Sequence, residues 1–204
     1  KNPIVFALAN PEPEISYKQA TSVRKDIIMA TGRSDHPNQV NNVLGFPFIF
    51  RGALDVRATT INEAMKLAAV QAIAALAKET IPEEVIEAYG GGNISFGRDQ
   101  IIPKPLDPRL IYSVAPAVAK AAMDSGVAKN PIKDWEHYDH HLKKRLGLDN
   151  KLLRNITIKA QNNLKKVVFV EADNVKVLRA AQMAYEEGVA IPILLGKKNI
   201  IEDL

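Results

Sequence analysis

Short apolar runs alternate with helical patterns at the start of the chain. Residues 4–9 form a continuous apolar run that ends at Asn10, which a proline follows. Such a run is typical of a strand buried on both faces in a parallel sheet. A mostly polar stretch, 16–24, favours a short helix, and a second apolar run, 26–30, ends at the polar turn 31–34. The pattern predicts a β-α-β crossover.

Residues 41–56 carry apolar side chains on nearly every side of a helix, three phenylalanines among them. Pro47 suits the first turn of a helix because proline lacks the N–H that would go unpaired there. We therefore predict a buried helix that begins just after Asn41 and Asn42.

Two further helices follow from end signals. Thr60 and Glu63 match a capping box, which predicts the start of an alanine-rich helix that ends near Glu79. Residues 107–126 predict another helix, which Pro116 should kink or divide in two.

The composition changes after residue 130. Residues 143–166 carry eight Lys or Arg against a single acid, which indicates a connector, with a helix over its first half, 134–146. The segment 167–196 then repeats a strand-helix-strand pattern. This pattern predicts the beginning of a second α/β domain.

Composition removes several classes of function. The chain has 204 residues, 47% of them apolar, no cysteine and a net charge of +4. Disulfides and thiol chemistry are excluded, and no apolar run is long enough for a membrane span. The charge is too small, and too few aromatics accompany it, to indicate nucleic acid. A cytoplasmic location fits best.

Because the chain starts at Lys1 directly before a strand pattern, we expect that residues precede it, and that the last domain continues.

Asparagines occupy the positions where ligands bind in open α/β sheets. Asn10 follows the first predicted strand, and Asn41 and Asn42 precede a predicted helix. The carboxyl ends of parallel strands and the amino ends of helices both favour ligand binding. An uncharged amide can hold a nicotinamide carboxamide, a ribose hydroxyl or a substrate carboxylate. A turn at Asn10 and a helix cap at Asn41 or Asn42 are the alternatives.

Two other motifs carry less chemistry. A G-x-G-x-x-G fingerprint is absent, and the triple glycine 90–92 neither follows a buried strand nor opens a helix, so we predict a flexible loop. His137 and His141 have the spacing of two metal ligands on a helix. No third ligand is placed by sequence, and nearby aromatic residues favour packing.

Several stretches resemble malic enzymes. They are IVFALANP at 4–11, TGRSD at 31–35, QVNNV at 39–43, FIFRGALD at 48–55 and IIPKP at 101–105. Together, over residues 1–130, they resemble the bacterial NADP-dependent hybrid type. Residues 167–204 are similar to the opening of phosphotransacetylases, through VLRAA at 177–181 and EGVAIPILLG at 187–196. The hybrid type carries such a domain after its catalytic region, and it is implicated in sensing acetyl-CoA.

The resemblance implies an α/β fold. We expect the later half of a Rossmann-like doubly wound parallel sheet in residues 1–130, a helical and basic connector in 131–165, and the first β-α-β of a second α/β domain in 166–204. The residue that reads the 2′-phosphate of NADP normally follows the second strand of such a sheet, before this chain begins. The preference for NADP therefore rests on the resemblance.

The resemblance also implies a reaction. Malic enzymes convert (S)-malate to pyruvate and CO2 while reducing NADP, and they need Mg²⁺ or Mn²⁺. By the family's order, the lysine base, the tyrosine acid and the metal ligands precede Lys1, so no catalytic or metal residue is expected here and the piece alone should be inactive. Asn10 and Asn41 would bind the cofactor, and Asn10 and Asn42 the substrate.

The alternatives are another NAD(P)-dependent dehydrogenase, a non-catalytic scaffold or allosteric connector, and acyl transfer by the second domain. Release of CO2 with pyruvate as product separates the first alternative from a malic enzyme. We expect acetyl-CoA as regulator, a homo-oligomer, and no nucleic-acid or membrane partner.

Overall fold

The computed structural model describes residues 1–146 and 151–203, and for 151–155 it describes the backbone alone. The chain divides into two compact units, Lys1–Leu146 and Gly147–Leu204. The elements of the first unit are β1 (Ile4–Ala7), α1 (Tyr17–Val23), β2 (Ile28–Thr31), a 3₁₀ turn (Asn42–Leu44), α2 (Phe46–Asp55), α3 (Glu63–Leu76), α4 (Glu83–Ala88), α5 (Arg109–Asp124) and α6 (Trp135–Arg145). Those of the second are α7 (Lys151–Gln161), β3 (Lys166–Val170), α8 (Val175–Glu186), β4 (Ile191–Leu195) and α9 (Lys198–Asp203).

The predicted β-α-β crossover at the start of the chain is present. β1 and β2 are parallel, and their register runs from Ile4 opposite Ile28 to Ala7 opposite Thr31. Ser16 begins α1 with a full capping box, because its side chain accepts from the N–H of Gln19 and the Gln19 side chain accepts from the Ser16 N–H. The two strands therefore end side by side at one edge of the sheet.

The prediction that β1 is buried on both faces is wrong for the described residues. Ile4 and Phe6 are 55% and 50% exposed, whereas Ala7 is buried and packs with Met29 and Ala20. The apolar run correctly indicates a strand, but apolar character does not say how many faces are covered. One face of β1 packs within the unit and the other lies open.

Three helices, α2, α3 and α5, form the main core of the first unit. Its fully buried members include Met65 and Leu76 from α3 and Leu110, Val114 and Val118 from α5. α5 runs unbroken through Pro116 rather than as two helices. The helices are held by apolar burial, which supplies roughly 25 cal/mol per Å² of area removed from water.

Segment 41–56 departs from the prediction of one buried helix. It divides into the 3₁₀ turn and α2, and α2 buries only the face that carries Gly52 and Ala53. Phe46, Phe50 and Leu54 lie on the exposed side of the helix. Apolar residues all round a helix therefore mark one covered face and one open face here.

Gly52 brings the backbones of α2 and α5 into close approach. A Cβ added at this position would lie 2.8 Å from the Cβ of Val118 and nearer still to the carbonyl oxygen of Ala115. Real Cβ atoms do not approach other atoms so closely, so only glycine fits. The small residue sets the distance between the two helices.

The carboxyl end of α2 is fixed to α6. Arg51 donates to Asp55 at 2.7 Å, and the hydroxyl of Tyr138 on α6 donates to the same carboxylate at 2.7 Å. Burial, and then the bond to Asp55, raise the pKa of Tyr138, so the hydroxyl remains a proton donor. The side chains thus join two helices across the unit.

The capping box predicted at Thr60 is also wrong. α3 begins at Glu63, and its cap is Asn62, whose Oδ1 accepts from the N–H of Met65 at 3.0 Å. Asparagine caps a helix at least as well as threonine, and it stands directly before the first turn. The predicted helix itself is confirmed.

The second unit carries a parallel pair of its own. β3 and β4 run from Lys166 opposite Ile191 to Val170 opposite Leu195, with α8 between them in sequence. The predicted strand-helix-strand pattern is confirmed. α7 lies in the predicted helical and basic connector, beyond the first half to which the helix was assigned, and α9 was not predicted. Within the described ranges, no helix has the length and apolar character needed to cross a bilayer.

Replacing Gly52 with Ala should destabilise the first unit. Overpacking costs about 1–3 kcal/mol, which exceeds the roughly 1 kcal/mol by which alanine favours a helix over glycine. Calorimetry of the complete protein should show a lower transition temperature for the domain that contains this unit. Gly97→Ala is the matched control, because a Cβ there meets nothing nearer than 4.0 Å. Equal transition temperatures for the two variants would contradict the packing argument.

Candidate functional site

The shared edge of β1 and β2 opens into a cleft. Its volume is about 390 Å³, within the range of small-molecule sites. The residues that line it come from three segments that directly follow or flank the strand ends: Leu8, Ala9, Asn10, Pro11, Pro13, Gly32, Arg33, Val40, Asn41 and Asn42. All three asparagines singled out from the sequence lie in this one cleft.

The third segment reaches the cleft by running alongside the end of β2. The N–H of Val40 donates to the carbonyl of Thr31 at 2.8 Å, and Gln39 forms a parallel bridge with Thr31. Thr31 is fully buried. Residues 39–40 run parallel to β2. The next two residues, Asn41 and Asn42, therefore lie beside the end of this strand.

Asn41 also caps the 3₁₀ turn. Its Oδ1 accepts from the N–H of Val43 at 3.0 Å, and its backbone is extended, as in a helix cap. The cap alternative therefore holds for Asn41. The cap occupies one lone pair of the amide oxygen and fixes the side chain, which leaves the two Nδ2 hydrogens as the donors that Asn41 can offer a ligand.

Asn38 holds the third segment in place. Its side chain is buried, and its Nδ2 donates to the carbonyls of Met29 and Arg98 at 3.0 and 2.9 Å. Its Oδ1 accepts from the N–H of Ile101 at 2.9 Å. One amide thus joins β2, the start of the asparagine segment and a loop about 60 residues further along the chain.

The loop at Asn10 folds back on itself. The N–H of Ala9 donates to Oε2 of Glu14 at 3.1 Å, and this bond keeps the pKa of the Glu14 carboxyl below its ordinary value. Glu14 is therefore ionised at neutral pH and bridges the loop. Asn10 lies between these two anchor residues.

Arg33 and Asp35 form an ion pair at the cleft. Nε and Nη2 of Arg33 donate to the two carboxylate oxygens of Asp35 at 2.9 and 2.7 Å. The hydrogen bond from Arg33 lowers the pKa of Asp35 to about 2, so the pair is charged at neutral pH. The N–H of Arg33 donates to Oγ1 of Thr31 at 3.2 Å, which ties the pair to the end of β2.

The remaining sequence candidates lie away from the cleft. Glycines 90–92 follow α4 as a loop with positive φ throughout. His137 and His141 are exposed on α6. Across residues 1–146 and 151–203, no group of three or more His, Cys, Asp or Glu side chains could hold a metal ion.

Comparison with known proteins assigns both parts of the chain. The family described as "Malic enzyme, NAD binding domain" matches residues 1–87, and "Phosphate acetyl/butaryl transferase" matches residues 151–203. The NADP-dependent malic enzyme of Salmonella typhimurium is 56% identical over 200 residues, which is 98% of this chain and 26% of the relative. This chain belongs to the malic enzyme family. The NAD-dependent malic enzyme of Rhizobium meliloti is 51% identical over 203 residues, 99% of this chain and 26% of the relative.

A solved malic enzyme supports the fold. The crystal structure of the malic enzyme from Pyrococcus horikoshii is 41% identical, with a TM-score of 0.58 over 78% of this chain and 33% of that chain. The predicted α/β fold with Rossmann-like parallel strands is confirmed. The chain spans about a quarter of the length of the curated malic enzymes that it matches.

Sequence reasoning did not identify Asn38, or the pairing of Arg33 with Asp35, as features that shape this cleft. Asn38 stands next to the asparagine pair in sequence and has φ of +55°, a backbone state that asparagine adopts more readily than most residues. No sequence signal shows that its partners lie 60 and 63 residues away. Arg33 and Asp35 lie within a quoted motif, but their pairing at the cleft needs the folded geometry.

Replacing Asn38 with Ala should loosen the asparagine segment. The change leaves two carbonyls and one N–H without their partner, at a cost of about 1–3 kcal/mol for each buried group left unpaired. Hydrogen exchange in the complete protein should speed up at residues 39–42 and 98–101. Asn38→Gly separates the causes, because glycine tolerates the positive φ but also lacks the amide. Normal exchange in the glycine variant would show that backbone strain, not the hydrogen bonds, is responsible.

Proposed function

We propose that the complete protein is a malic enzyme that oxidises (S)-malate to pyruvate and CO2 with reduction of NADP. The observation that carries the proposal is the cleft at the shared strand edge, which is lined by Asn10, Asn41 and Asn42. Ligands of open α/β sheets bind at this edge. The curated relatives that match nearly the whole chain are malic enzymes.

The cleft is chemically suited to a nicotinamide and a small acid. The asparagines offer neutral donors and acceptors, which match a carboxamide and ribose hydroxyls as well as a carboxylate. The cleft volume of about 390 Å³ suits the reactive end of a dinucleotide rather than the whole molecule. When bound, the nicotinamide would supply the hydride acceptor.

We assign the three asparagines distinct tasks. Asn10 and Asn41 bind the cofactor, and Asn10 and Asn42 bind the substrate. Asn41 donates through Nδ2, because Val43 occupies its oxygen. Asn42 follows directly in the 3₁₀ turn, so the two amides are set one residue apart on a short, hydrogen-bonded element. This arrangement would hold C2 of malate against the nicotinamide, and orientation of this kind can contribute several kcal/mol to catalysis.

Three parts of the proposal rest on the resemblance and the relatives rather than on the cleft. The first is the need for Mg²⁺ or Mn²⁺, and no residue of this chain is assigned as ligand, base or acid. The second is the preference for NADP, since relatives of both cofactor types, 56% and 51% identical, match nearly the whole chain. The third is a homo-oligomer, whereas the cytoplasmic location rests on composition.

For the second unit we propose regulation by acetyl-CoA. Residues 151–203 match the family described as "Phosphate acetyl/butaryl transferase", and the resemblance to the hybrid malic enzymes implies that such a domain senses acetyl-CoA. The competing function is acyl transfer by this domain itself. A further competitor for the chain is a scaffold without catalysis.

The complete protein should form NADPH when given (S)-malate and Mn²⁺, with pyruvate and CO2 as products. Acetyl-CoA should reduce the rate. Malate-independent reduction, or a product other than pyruvate, would favour another dehydrogenase. Absence of turnover with NADP and with NAD would leave the scaffold as the better account, and acetyl phosphate formation from acetyl-CoA and phosphate would reveal acyl transfer.

Replacing Asn42 with Ala in the complete enzyme should raise the malate KM or lower kcat about ten- to hundredfold, the range for a hydrogen bond to a charged group. The KM for NADP should change less. Asn130→Ala is the control, because it removes an exposed asparagine side chain outside the cleft. Kinetics of the Asn42 variant that match this control would refute the substrate role.

A further inference from the structure

The cleft holds a single charged side chain among the described residues that line it. The other lining residues are apolar or neutral, including Leu8, Ala9, Val40 and the asparagines. Arg33 therefore carries the one formal charge among the described residues that line the cleft. The substrate and the cofactor of the proposed function are both anions: malate carries two carboxylates, and a dinucleotide carries phosphates. A neutral amide binds such groups more weakly than a guanidinium does.

Asp35 occupies only one edge of the Arg33 guanidinium. Its two oxygens take one hydrogen from Nε and one from Nη2. A guanidinium has five N–H donors in a planar fork, so two hydrogens on Nη1 and one on Nη2 define a second edge. That second edge has the geometry for a bidentate bond to another carboxylate or to a phosphate.

The pair is both anchored and accessible. The backbone N–H of Arg33 is bonded to the buried Thr31, and the side chain of Arg33 is 54% exposed. A side chain fixed at one edge loses less conformational freedom when a ligand binds at the other edge. Asp35 therefore orients the guanidinium in advance of binding.

A second ion pair in the same unit has the same chemistry as Arg33 and Asp35 but lies outside the cleft. Arg24 and Asp26 have the same two-residue spacing, and Nε and Nη2 of Arg24 donate to the carboxylate at 2.9 and 2.8 Å. The side chain of Arg24 is 51% exposed. Arg24 does not line the cleft. The two pairs differ chiefly in place, which makes Arg24 a matched control for Arg33.

We propose that Arg33 binds an oxyanion group of the ligand in the cleft, a substrate carboxylate or a cofactor phosphate, and that Asp35 is the residue that positions it. The proposal rests on the proposed function, since it names the charged contact within the same site. It adds to the asparagines a residue that selects for anionic ligands. Arg33→Lys keeps the charge but loses the planar fork, so it should recover binding only in part.

The test uses the complete protein with Arg33→Ala, Arg33→Lys, Asp35→Asn and Arg24→Ala. Dissociation constants for malate, NADPH and NADH are measured by calorimetry, and KM and kcat by steady-state assay. Arg33→Ala should weaken one ligand about ten- to hundredfold, the range for charge-assisted bonds. The dissociation constant of Arg33→Lys for that ligand should lie between those of Arg33→Ala and the wild type. Arg24→Ala should have the dissociation constants of the wild type. Asp35→Asn should raise the affected KM with a smaller change in kcat.

The ligand that is weakened identifies the oxyanion. Loss of malate binding alone identifies a carboxylate. Loss of NADPH and NADH binding together identifies the pyrophosphate, and loss of NADPH binding alone identifies the 2′-phosphate. If Arg33→Ala and Arg24→Ala bind both ligands equally well, the role of Arg33 is overturned.

The binding measurements also separate the two proposals. A wild-type protein that binds malate and NADPH without turnover would refute the malic enzyme reaction, while the variants would still decide the role of Arg33. A wild-type protein that binds neither ligand would refute both proposals.

Discussion

The parallel pairing of β1 with β2 is the constraint on which the candidate site depends. Because the two strands run in the same direction and in register from Ile4 and Ile28 onward, the segments that follow them leave the sheet at the same edge. The residues after Ala7 and after Thr31 therefore meet, although 24 positions separate them in sequence. An antiparallel pair would have placed Asn10 and Arg33 at opposite ends of the strands.

The site is completed by hydrogen bonds rather than by a third strand. Val40 bonds to Thr31, and Asn38 ties this segment to a distant loop. These bonds occupy backbone groups that would otherwise be buried without partners. They also place Asn41 and Asn42 beside the strand ends with little freedom to shift. A polar side chain inside the fold thus serves to position polar side chains at its surface.

Sequence reasoning recovers what depends on neighbours along the chain. The strand ends, and hence the place of Asn10 at the ligand-binding edge, follow from apolar runs and from the known edge of parallel sheets. The arrival of Asn41 and Asn42 at the same edge does not follow from them, because it depends on the bonds of Asn38 and Val40. The exposure of Phe6 does not follow, because apolar character is a property of one residue, whereas burial is a property of its surroundings. The pairing of Asn38 with Arg98 is similarly invisible, since the two are 60 residues apart.

The close packing at Gly52 determines how stiffly the asparagine pair is held. α2 has ten residues and is therefore about 15 Å long, with the 3₁₀ turn of Asn42 at one end and Asp55 at the other. The close approach at Gly52 holds the carboxyl-terminal half of this helix against α5, and Tyr138 holds Asp55 at its end. A tilt of α2 that moved Asn42 would disturb the contact at Gly52 and the bond between Tyr138 and Asp55. The positions of the asparagine side chains in the cleft thus depend on helix packing at Gly52, which lies outside the cleft.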